Sequence, residues 1–519
     1  MRSRSHLRFA ALLLTGCFAA ACGTTVPLSQ RQSSSGLGGS LDGTQQSSTT
    51  GSSGTTGVLG SDSGTSGSTG STGSSGSSSS STGSGTTSGS GTGTVAGGGS
   101  STTGAASLSS GKGWDAKNVY VGVPTVSDAD KGFAALGVSG ADAGDPKGEA
   151  NAMIAELNRH GGILGRKVKL INYDFSYTQA ATNATATAQA ACSYFTQDHP
   201  VVAVIHPLVG NWDNPAFESC ITKHKVALIE GPSTGPFDAT LLRQLGSYFY
   251  DTAMPSIEHA VTTMVPQLVA QGFFSGWDTT TGGPSATAPV KVGLLYDDGP
   301  TIKRVLPMIR STLAKAGHPV VTEFGIQSLS DGNAAVLRMR SAGVTHVFSP
   351  DIFVLLMMLS ADSQHYKPRY TVGTYQIPQF WMQQAPASQL KGSMGIGWYP
   401  TADVAQPEDP GAVGPGQAAC RKAMLAASLD YSRRRTAQGA SFEFCDGFNL
   451  LSLGAKLGGG LDPFSLSRGI AAVGSRLQVA GVFGNGLTAS YHMVPNQARV
   501  IFYDSGCSCF RYRGSSFGM

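Results

Sequence analysis

The chain has 519 residues and a formal net charge of +4 at pH 7, and only 13% of its residues are charged. Residues 1–21 contain three arginines and no acidic residue, so without them the formal net charge falls from +4 to +1. Such a nearly neutral composition leaves no basic patch, which excludes nucleic acid as an expected partner.

The N-terminus has the pattern of a secretory signal peptide. Arg2, Arg4 and Arg8 precede an apolar run over residues 9–21. This run is shorter than the about 20 residues that a membrane-spanning helix needs. We therefore predict that residues 1–21 are a lipoprotein signal peptide, which is removed from the mature protein.

Two cysteines near its end resemble the bacterial lipobox, in which small residues precede a cysteine that is acylated and becomes the mature N-terminus. Cys17, in the tetrapeptide LTGC, matches the motif better, but it leaves Arg8 too close to the cleavage site. Cys22 leaves an apolar run of ordinary length, and we favour it as the lipidated residue. Cleavage after the alanines without lipidation stays open as the alternative.

Residues 22–113 are built almost wholly from Ser, Gly and Thr, as in GSTGSTGSSGSSSSSTGSG at residues 67–85. Ordering such residues costs backbone entropy and buries little apolar surface, so we predict a disordered linker. A flexible coil of about 90 residues has a root-mean-square span on the order of 50 Å. With a lipid at Cys22 it is interpreted as a tether that holds a folded part off a membrane. A disordered tail with no function is the alternative.

After the linker, predicted strands and helices alternate. The apolar run VYVGV predicts a strand, helical spacing follows it, and the pair Gly161 and Gly162 predicts the end of that helix. A strand–helix–strand order implies a parallel sheet. The predicted elements of this first series are strands at residues 119–123, 167–173, 201–205 and 226–229, and helices at residues 148–160, 178–195 and 216–223.

A second series begins after a spacer rich in Gly, Thr and Pro at residues 276–289. Like the first, it opens on a V-x-V-G strand, and Pro307 is expected to kink its first helix or delay its start. Its predicted elements are strands at residues 290–295, 344–348 and 370–373, a strand from Val320, and a helix at residues 301–316. The repetition predicts an α/β fold of two similar doubly wound lobes, with ligands beyond the carboxyl ends of the strands and closure by a hinge.

The segment GGILGRKVKL at residues 161–170, followed by Tyr173 and Asp174, resembles the GGIxGRKV turn of the type I periplasmic binding proteins that serve branched-chain amino acid and amide ABC importers. The resemblance extends from about residue 119 to residue 400 and more faintly to the end. It implies two Rossmann-like lobes joined by a three-crossover hinge. It also implies a lipid-anchored, extracytoplasmic receptor that delivers a small solute to an ABC-transporter permease, without catalysis or a cofactor.

Within residues 114–519, the resemblance places lobe 1 at about residues 117–249 and 377–485, and lobe 2 at about residues 250–376 and 486–519. The solute is expected in the cleft between them. Two other functions stay open for this fold: a ligand sensor and a non-transport cell-surface interaction protein. The receptor and sensor hypotheses predict that the cleft closes on a small molecule, and the interaction-protein hypothesis predicts no closure.

The resemblance also implies where lobe 1 meets its ligand. The loop after the third strand usually supplies a serine hydroxyl and backbone N–H groups, and here Gly210 stands at the serine position beside Asn211 and Trp212. The N–H groups remain suited to an anion. The next loop offers Ser233 and Thr234. A core position for Trp212 and a helix-capping role for the two hydroxyl residues are the structural alternatives.

In lobe 2, the amino-acid binders of this family place an acidic residue after a strand to hold the ligand's ammonium group, but residues 373–376 contain no acid. Asp351, at another strand end, is the candidate replacement, and Asp297 and Tyr375 are further predicted ligand residues. Helix capping by the aspartates and hinge packing by Tyr375 are the alternatives. The missing serine and acid favour a less zwitterionic or an aromatic solute at least as much as an α-amino acid.

Six cysteines follow the anchor, an even count that suggests disulfides in an exported chain. We pair Cys192 with Cys220, because consecutive helices of the first lobe can pack side by side. We pair Cys420 with Cys445, because they are close in sequence.

The remaining two cysteines form the C-x-C sequence of Cys507 and Cys509, where a bridge between such near neighbours is expected to be strained. No histidine or second cysteine pair stands nearby, so a metal site is not expected. Residues 111–113 lack P-loop spacing, and the histidines form no H-E-x-x-H pattern. His206, at a predicted strand end, is the one histidine of interest. We therefore expect no enzyme activity.

Overall fold

The computed structural model describes residues 110–128, 131, 142, 144–206, 215–231, 237–328, 330–380, 382–405 and 414–519. By proximity of its Cα atoms the chain divides into Met1–Gly99 and Ser100–Met519, and every described residue belongs to the second unit. The predicted signal peptide, the lipidation site and most of the predicted linker therefore lie outside the described residues. Within the described ranges, no helix has the length and apolar character needed to cross a membrane.

Lobe 1 begins with an alternating series of strands and helices. They are β1 (Asn118–Val126), α1 (Pro146–Arg159), β2 (Lys167–Phe175), α2 (Tyr177–Thr182), α3 (Ala184–Ser193), β3 (Ala203–His206), α4 (Pro215–Lys223), β4 (Ala227–Glu230), α5 (Ala239–Leu245) and β5 (Phe249–Asp251). The strands form a parallel sheet in the order β2-β1-β3-β4-β5. Val119, Val121 and Val123 are fully buried, and Gly122 packs against Phe195, so both faces of β1 are covered.

The turn between α1 and β2 explains the two glycines in its sequence. Asp145 caps the start of α1, where its Oδ1 accepts a hydrogen bond from the Gly148 N–H at 2.9 Å. Gly161 and Gly162 have left-handed φ angles of +91° and +72°, and they lie two and three residues after Arg159, the last residue of the helix. A Cβ at Gly162 would lie 1.8 Å from the Arg166 carbonyl oxygen, so only glycine fits there.

Lobe 2 repeats the alternation. Its elements are α6 (Ile257–Ala270), β6 (Trp277–Asp278), β7 (Gly283–Pro284), β8 (Val292–Asp297), α7 (Pro300–Lys315), β9 (Val320–Ile326), α8 (Asp331–Ser341), β10 (His346–Phe348), α9 (Val354–Ser363), β11 (Arg369–Tyr370) and α10 (Ala387–Leu390). A parallel sheet has the order β11-β10-β8-β9, and β6 and β7 form a separate antiparallel pair. Pro307 lies inside α7, whose start is not delayed.

The last part of the chain completes both lobes. Its elements are β12 (Met394–Gly397), α11 (Pro400–Asp403), α12 (Pro415–Ala426), α13 (Arg435–Gly458), α14 (Pro463–Ala471), β13 (Gln497–Asp504) and β14 (Cys509–Gly518). β12, β13 and β14 form an antiparallel sheet, and a bridge from Thr371 to Met394 connects it to the end of β11. β12 thus lies with lobe 2, and the second crossover follows it near Trp398, later than the boundary expected near residue 377.

The 24-residue helix α13 packs across the sheet of lobe 1. A Cβ at Gly447 would lie 2.9 Å from Ile205 Cγ2 on β3 and 3.5 Å from Ile229 Cγ2 on β4. A glycine at this position lets the helix backbone approach the sheet closely. The chain therefore passes between the lobes after β5, after β12 and before β13, and the predicted two-lobed α/β fold is confirmed.

Disulfides join the two pairs of cysteines predicted for lobe 1. Cys192 on α3 is bonded to Cys220 on α4, and Cys420 on α12 is bonded to Cys445 on α13. In each case the bond connects two neighbouring helices.

Cys507 and Cys509 are also joined, although strain was expected between such near neighbours. They lie at the turn between the antiparallel strands β13 and β14, where Asp504 pairs with Cys509. This reversal of the chain brings the two Cα atoms to 5.2 Å, a separation that disulfides ordinarily span.

Candidate functional site

Polar side chains mark the carboxyl ends of the parallel strands in both lobes, the edge at which such sheets bind ligands. In chain order they are Asp174, His206, Glu230 and Asp251 in lobe 1, and Asp297 and Asp351 in lobe 2. The candidate ligand site therefore lies at these strand ends.

Five predicted ligand residues lie outside the described residues: Gly210, Asn211, Trp212, Ser233 and Thr234. The loops that contain them leave β3 after His206 and β4 after Glu230, so the described strand ends show where each loop begins. The ligand role of these five residues stays a prediction.

His206 and Glu230 form a polar pair at the ends of β3 and β4. They are partners in the parallel ladder, and His206 Nδ1 lies 3.2 Å from Glu230 Oε1. Glu230 has only 1% of its surface exposed. A buried carboxyl group needs hydrogen-bond partners, so this contact holds the side chains that directly precede the two predicted ligand loops.

A further carboxyl group, from Glu443 of α13, reaches the end of β4. A Cβ at Gly231 would lie 2.3 Å from Glu443 Oε2, and the Tyr399 hydroxyl donates to Glu443 Oε1 at 2.8 Å. Burial raises the pKa of Tyr399 well above 10, so its hydroxyl stays a donor. Sequence reasoning missed Glu443. The sequence pattern that could have indicated this residue is an acid between Phe442 and Phe444 in an apolar helix.

Asp351 connects the ends of β8 and β10. Its Oδ2 accepts a hydrogen bond from the Asp297 N–H at 2.7 Å, and its Oδ1 accepts one from the Phe353 N–H at 3.0 Å, just before α9. Burial raises the pKa of Asp351 to about 7 and also raises the pKa of Asp297. Both oxygens of Asp351 accept from main-chain donors, but the N-cap of α9 is Phe353 and no side chain caps this helix. A ligand contact by either aspartate stays a prediction.

Tyr375 lies against the first crossover. Its hydroxyl donates to the Pro255 carbonyl oxygen at 2.7 Å, and its ring meets Trp398 edge to face with 5.2 Å between the centroids. Trp398 in turn donates from Nε1 to the Ala253 carbonyl oxygen at 2.9 Å. These contacts match the hinge-packing alternative, and a ligand contact by Tyr375 stays a prediction.

A buried carboxyl group, from Asp403, joins the segments beside the crossovers. It accepts hydrogen bonds from the Tyr399 N–H at 3.0 Å, from Thr374 Oγ1 at 2.8 Å and from the Tyr512 hydroxyl at 2.6 Å. Asp403 has no exposed surface, and this burial raises its pKa to about 7. The folded chain therefore keeps a proton that the unfolded chain releases near its ordinary, lower pKa.

An ion pair joins α5 of lobe 1 to α7 of lobe 2. Arg304 donates from Nε and Nη2 to the two oxygens of Asp238, at 2.6 and 2.9 Å. Asp238 also caps α5 by accepting from the Leu241 N–H, and Glu258 of α6 accepts from the Ala239 N–H, both at 2.9 Å. Burial alone would raise the pKa of Asp238, but the Arg304 hydrogen bonds hold it below its usual value.

Metal-ligating atoms of Cys192, Cys220 and His224 come within 4.8 Å of one another. The two sulfurs are joined in a disulfide, so they offer no thiolate to a metal ion. This group therefore does not support a metal site in the oxidised protein.

A sequence profile of the family described as periplasmic binding protein matches residues 133–429, more than half of the chain. No curated protein matches this chain.

The fold is similar to those of solved solute-binding proteins. One is an ABC-transporter substrate-binding protein from Aeropyrum pernix, with 14% identity, a TM-score of 0.55, and coverage of 78% of this chain and 96% of that chain. Another is a branched-chain amino acid ABC transporter protein from Thermus thermophilus with bound valine, with 12% identity, a TM-score of 0.52 and the same coverages. A third is a solute-binding protein from R. palustris in complex with 4-hydroxybenzoate, with 13% identity, a TM-score of 0.51, and coverage of 77% and 97%. At these identities the likeness shows the fold.

The raised pKa of Asp403 predicts a pH-dependent stability. Between about pH 4 and pH 7 the folded state binds the extra proton, so the free energy of unfolding falls as the pH rises, by up to about 1.4 kcal/mol per pH unit. Asp403→Asn should reduce this slope in urea unfolding at pH 5, 6 and 7. Glu156→Gln, which changes a partly exposed carboxylate on α1, should keep the wild-type slope. An unchanged slope in Asp403→Asn would contradict a protonated Asp403.

The ion pair predicts that the lobes stabilise one another through Arg304. Arg304→Gln leaves the nearly buried Asp238 carboxylate without its cation and should lower the free energy of unfolding by about 1–3 kcal/mol. The matched control is Arg310→Gln on the same helix, because Arg310 is exposed and pairs within lobe 2 with Glu323, which is partly exposed. Arg310→Gln should lower the free energy of unfolding by less than about 1 kcal/mol. Equal losses in urea unfolding would count against a special role for the contact between lobes.

Proposed function

Because the chain belongs to the periplasmic binding protein family, we propose that it captures a small polar organic solute between its lobes and delivers it to the permease of an ABC importer. An amino acid, an amide or a related compound is the expected class. Members of this family are extracytoplasmic proteins that bind solutes for ABC transporters, and they are not enzymes.

The arrangement of the strand ends is the observation that supports solute capture best. The His206–Glu230 pair stands directly before the two predicted ligand loops of lobe 1. The helix that follows the second of these loops is connected to lobe 2 through Asp238 and Arg304. A solute held by the loops would thus lie beside the contact between the lobes, where closure can exclude water from it.

The chemistry of the predicted loops limits the solute. Gly210 replaces the usual serine hydroxyl, and residues 373–376 contain no acid for an ammonium group. Among the structural neighbours, one contains valine and another 4-hydroxybenzoate. We therefore propose a less zwitterionic or aromatic solute as a candidate equal to an α-amino acid.

Thermal unfolding against a panel of amino acids, amides, polyamines, aromatic acids and sugars tests this proposal. A ligand present at 100 times its dissociation constant should raise the free energy of unfolding by about 2.7 kcal/mol. Calorimetric titration then gives the affinity, which Ser233→Ala/Thr234→Ala should weaken about tenfold by removing two hydroxyl donors. Ser505→Ala, at the turn between β13 and β14 and outside the predicted ligand loops, is the control. No shift with any class would favour the cell-surface interaction protein instead.

The N-terminal segment suggests how the receptor stays near its permease. We propose that Cys22 carries a lipid and that residues 22–113 act as a flexible tether from the membrane to the folded lobes. A tether of this kind keeps the binding domain at high effective concentration near the membrane while letting it move through the surrounding space. The composition of the segment and its position after a predicted signal peptide support this proposal.

Fractionation of cells that express the full chain tests the anchor. Cys22→Ala should move the protein from the membrane fraction to the soluble extracytoplasmic fraction, because a chain without acyl groups lacks the apolar anchor. Cys17→Ala is the matched control and should leave the protein in the membrane fraction. The reverse pattern would assign the lipid to Cys17, and release of neither variant would contradict lipidation as the anchor.

A further inference from the structure

The disulfide between Cys507 and Cys509 differs from the other described disulfides in its access to solvent. Cys507 is exposed and Cys509 is half-buried, at the tip of the hairpin formed by β13 and β14. By contrast, Cys192, Cys420 and Cys445 are buried, and Cys220 is half-buried, so neither of the other described pairs has an exposed cysteine. Thiol–disulfide exchange starts when a thiolate reaches a disulfide sulfur, so accessibility favours reaction at the hairpin.

The hairpin has other contacts that hold it in place without this bond. Phe510 is buried in the core of lobe 2, Arg511 is paired with Asp504 at 3.1 Å, and Tyr512 donates to Asp403. The bond also closes a very short loop, with a sequence separation of 2 against 28 and 25 for the other two. A disulfide that closes a short loop contributes least to stability by chain entropy. Its opening therefore leaves the surrounding fold in place.

We infer that the Cys507–Cys509 bond is a thiol–disulfide exchange site whose partner is a dithiol oxidoreductase outside the cytoplasm. A thiolate of the partner attacks Cys507 Sγ, the S–S bond breaks, and Cys509 leaves as a thiolate. The partner's second thiolate then attacks the mixed disulfide and releases Cys507. Two electrons pass to the hairpin, the partner becomes a disulfide, and its two thiol protons end on Cys507 and Cys509.

This site is separate from the proposed solute site, and its test needs no solute. The full mature chain is incubated with graded dithiothreitol, alkylated without denaturant and mapped by peptide mass. Cys507 and Cys509 should become alkylated at a reductant concentration about tenfold below that needed for the other pairs, with an unchanged far-UV circular dichroism spectrum. Reduction in step with the other pairs, alkylation before any reductant is added, or loss of the spectrum would each overturn the inference.

A trapping experiment identifies the partner class. A thioredoxin-type oxidoreductase that retains only its attacking cysteine should form a mixed disulfide with Cys507 of the full chain. The variant Cys507→Ser/Cys509→Ser should form none, whereas Cys192→Ala/Cys220→Ala, which keeps the hairpin pair, should still be trapped if it folds. Trapping on another cysteine of the wild-type chain, or no trapping, would overturn the inference.

Discussion

The way the lobes are joined depends on buried hydrogen bonds around Asp403. This one carboxyl group receives donors from the segments that follow β11 and β12 and from Tyr512 of the C-terminal hairpin. Next to two of these donors, Tyr375 and Trp398 donate to main-chain carbonyl groups of the first crossover. Polar groups in a dry interior are costly unless paired, so this network gives the crossovers one well-defined arrangement. The relative positions of the two sheets, and of the strand ends that form the candidate site, depend on this arrangement.

Signals between neighbouring residues were sufficient to predict much of this architecture. The V-x-V-G runs, the helical spacing after them and the glycine pair at residues 161–162 act within one strand–helix–strand unit, where periodicity and backbone geometry alone decide the outcome. The parallel pairing of β1 and β2 extends over the region that these signals mark. The ligand loops of lobe 1 were assigned from the family resemblance, and they begin directly after β3 and β4, but their ligand role stays a prediction.

The features that sequence reasoning missed depend on contacts between distant segments. Glu443 faces Gly231 only because α13 packs across the sheet, which no local pattern reports. β12 belongs with lobe 2 because it pairs with β13, a strand far along the chain. The pairing of Cys507 with Cys509 occurs at the reversal of the hairpin, which the number of residues between them does not indicate. The hydrogen bond from the Asp297 N–H to Asp351 likewise joins two strand ends that are far apart in sequence.

The placement of the described disulfides has a mechanical consequence. Cys192–Cys220 and Cys420–Cys445 each connect helices of lobe 1, and Cys507–Cys509 closes a turn beside lobe 2. The first two crosslinks stiffen lobe 1, and none of the three connects one lobe to the other. Oxidation can therefore stiffen lobe 1 while rotation between the lobes is left to backbone torsions at the crossovers. The disulfides thus stabilise parts of single lobes, and the crossovers are the parts of the chain that can move.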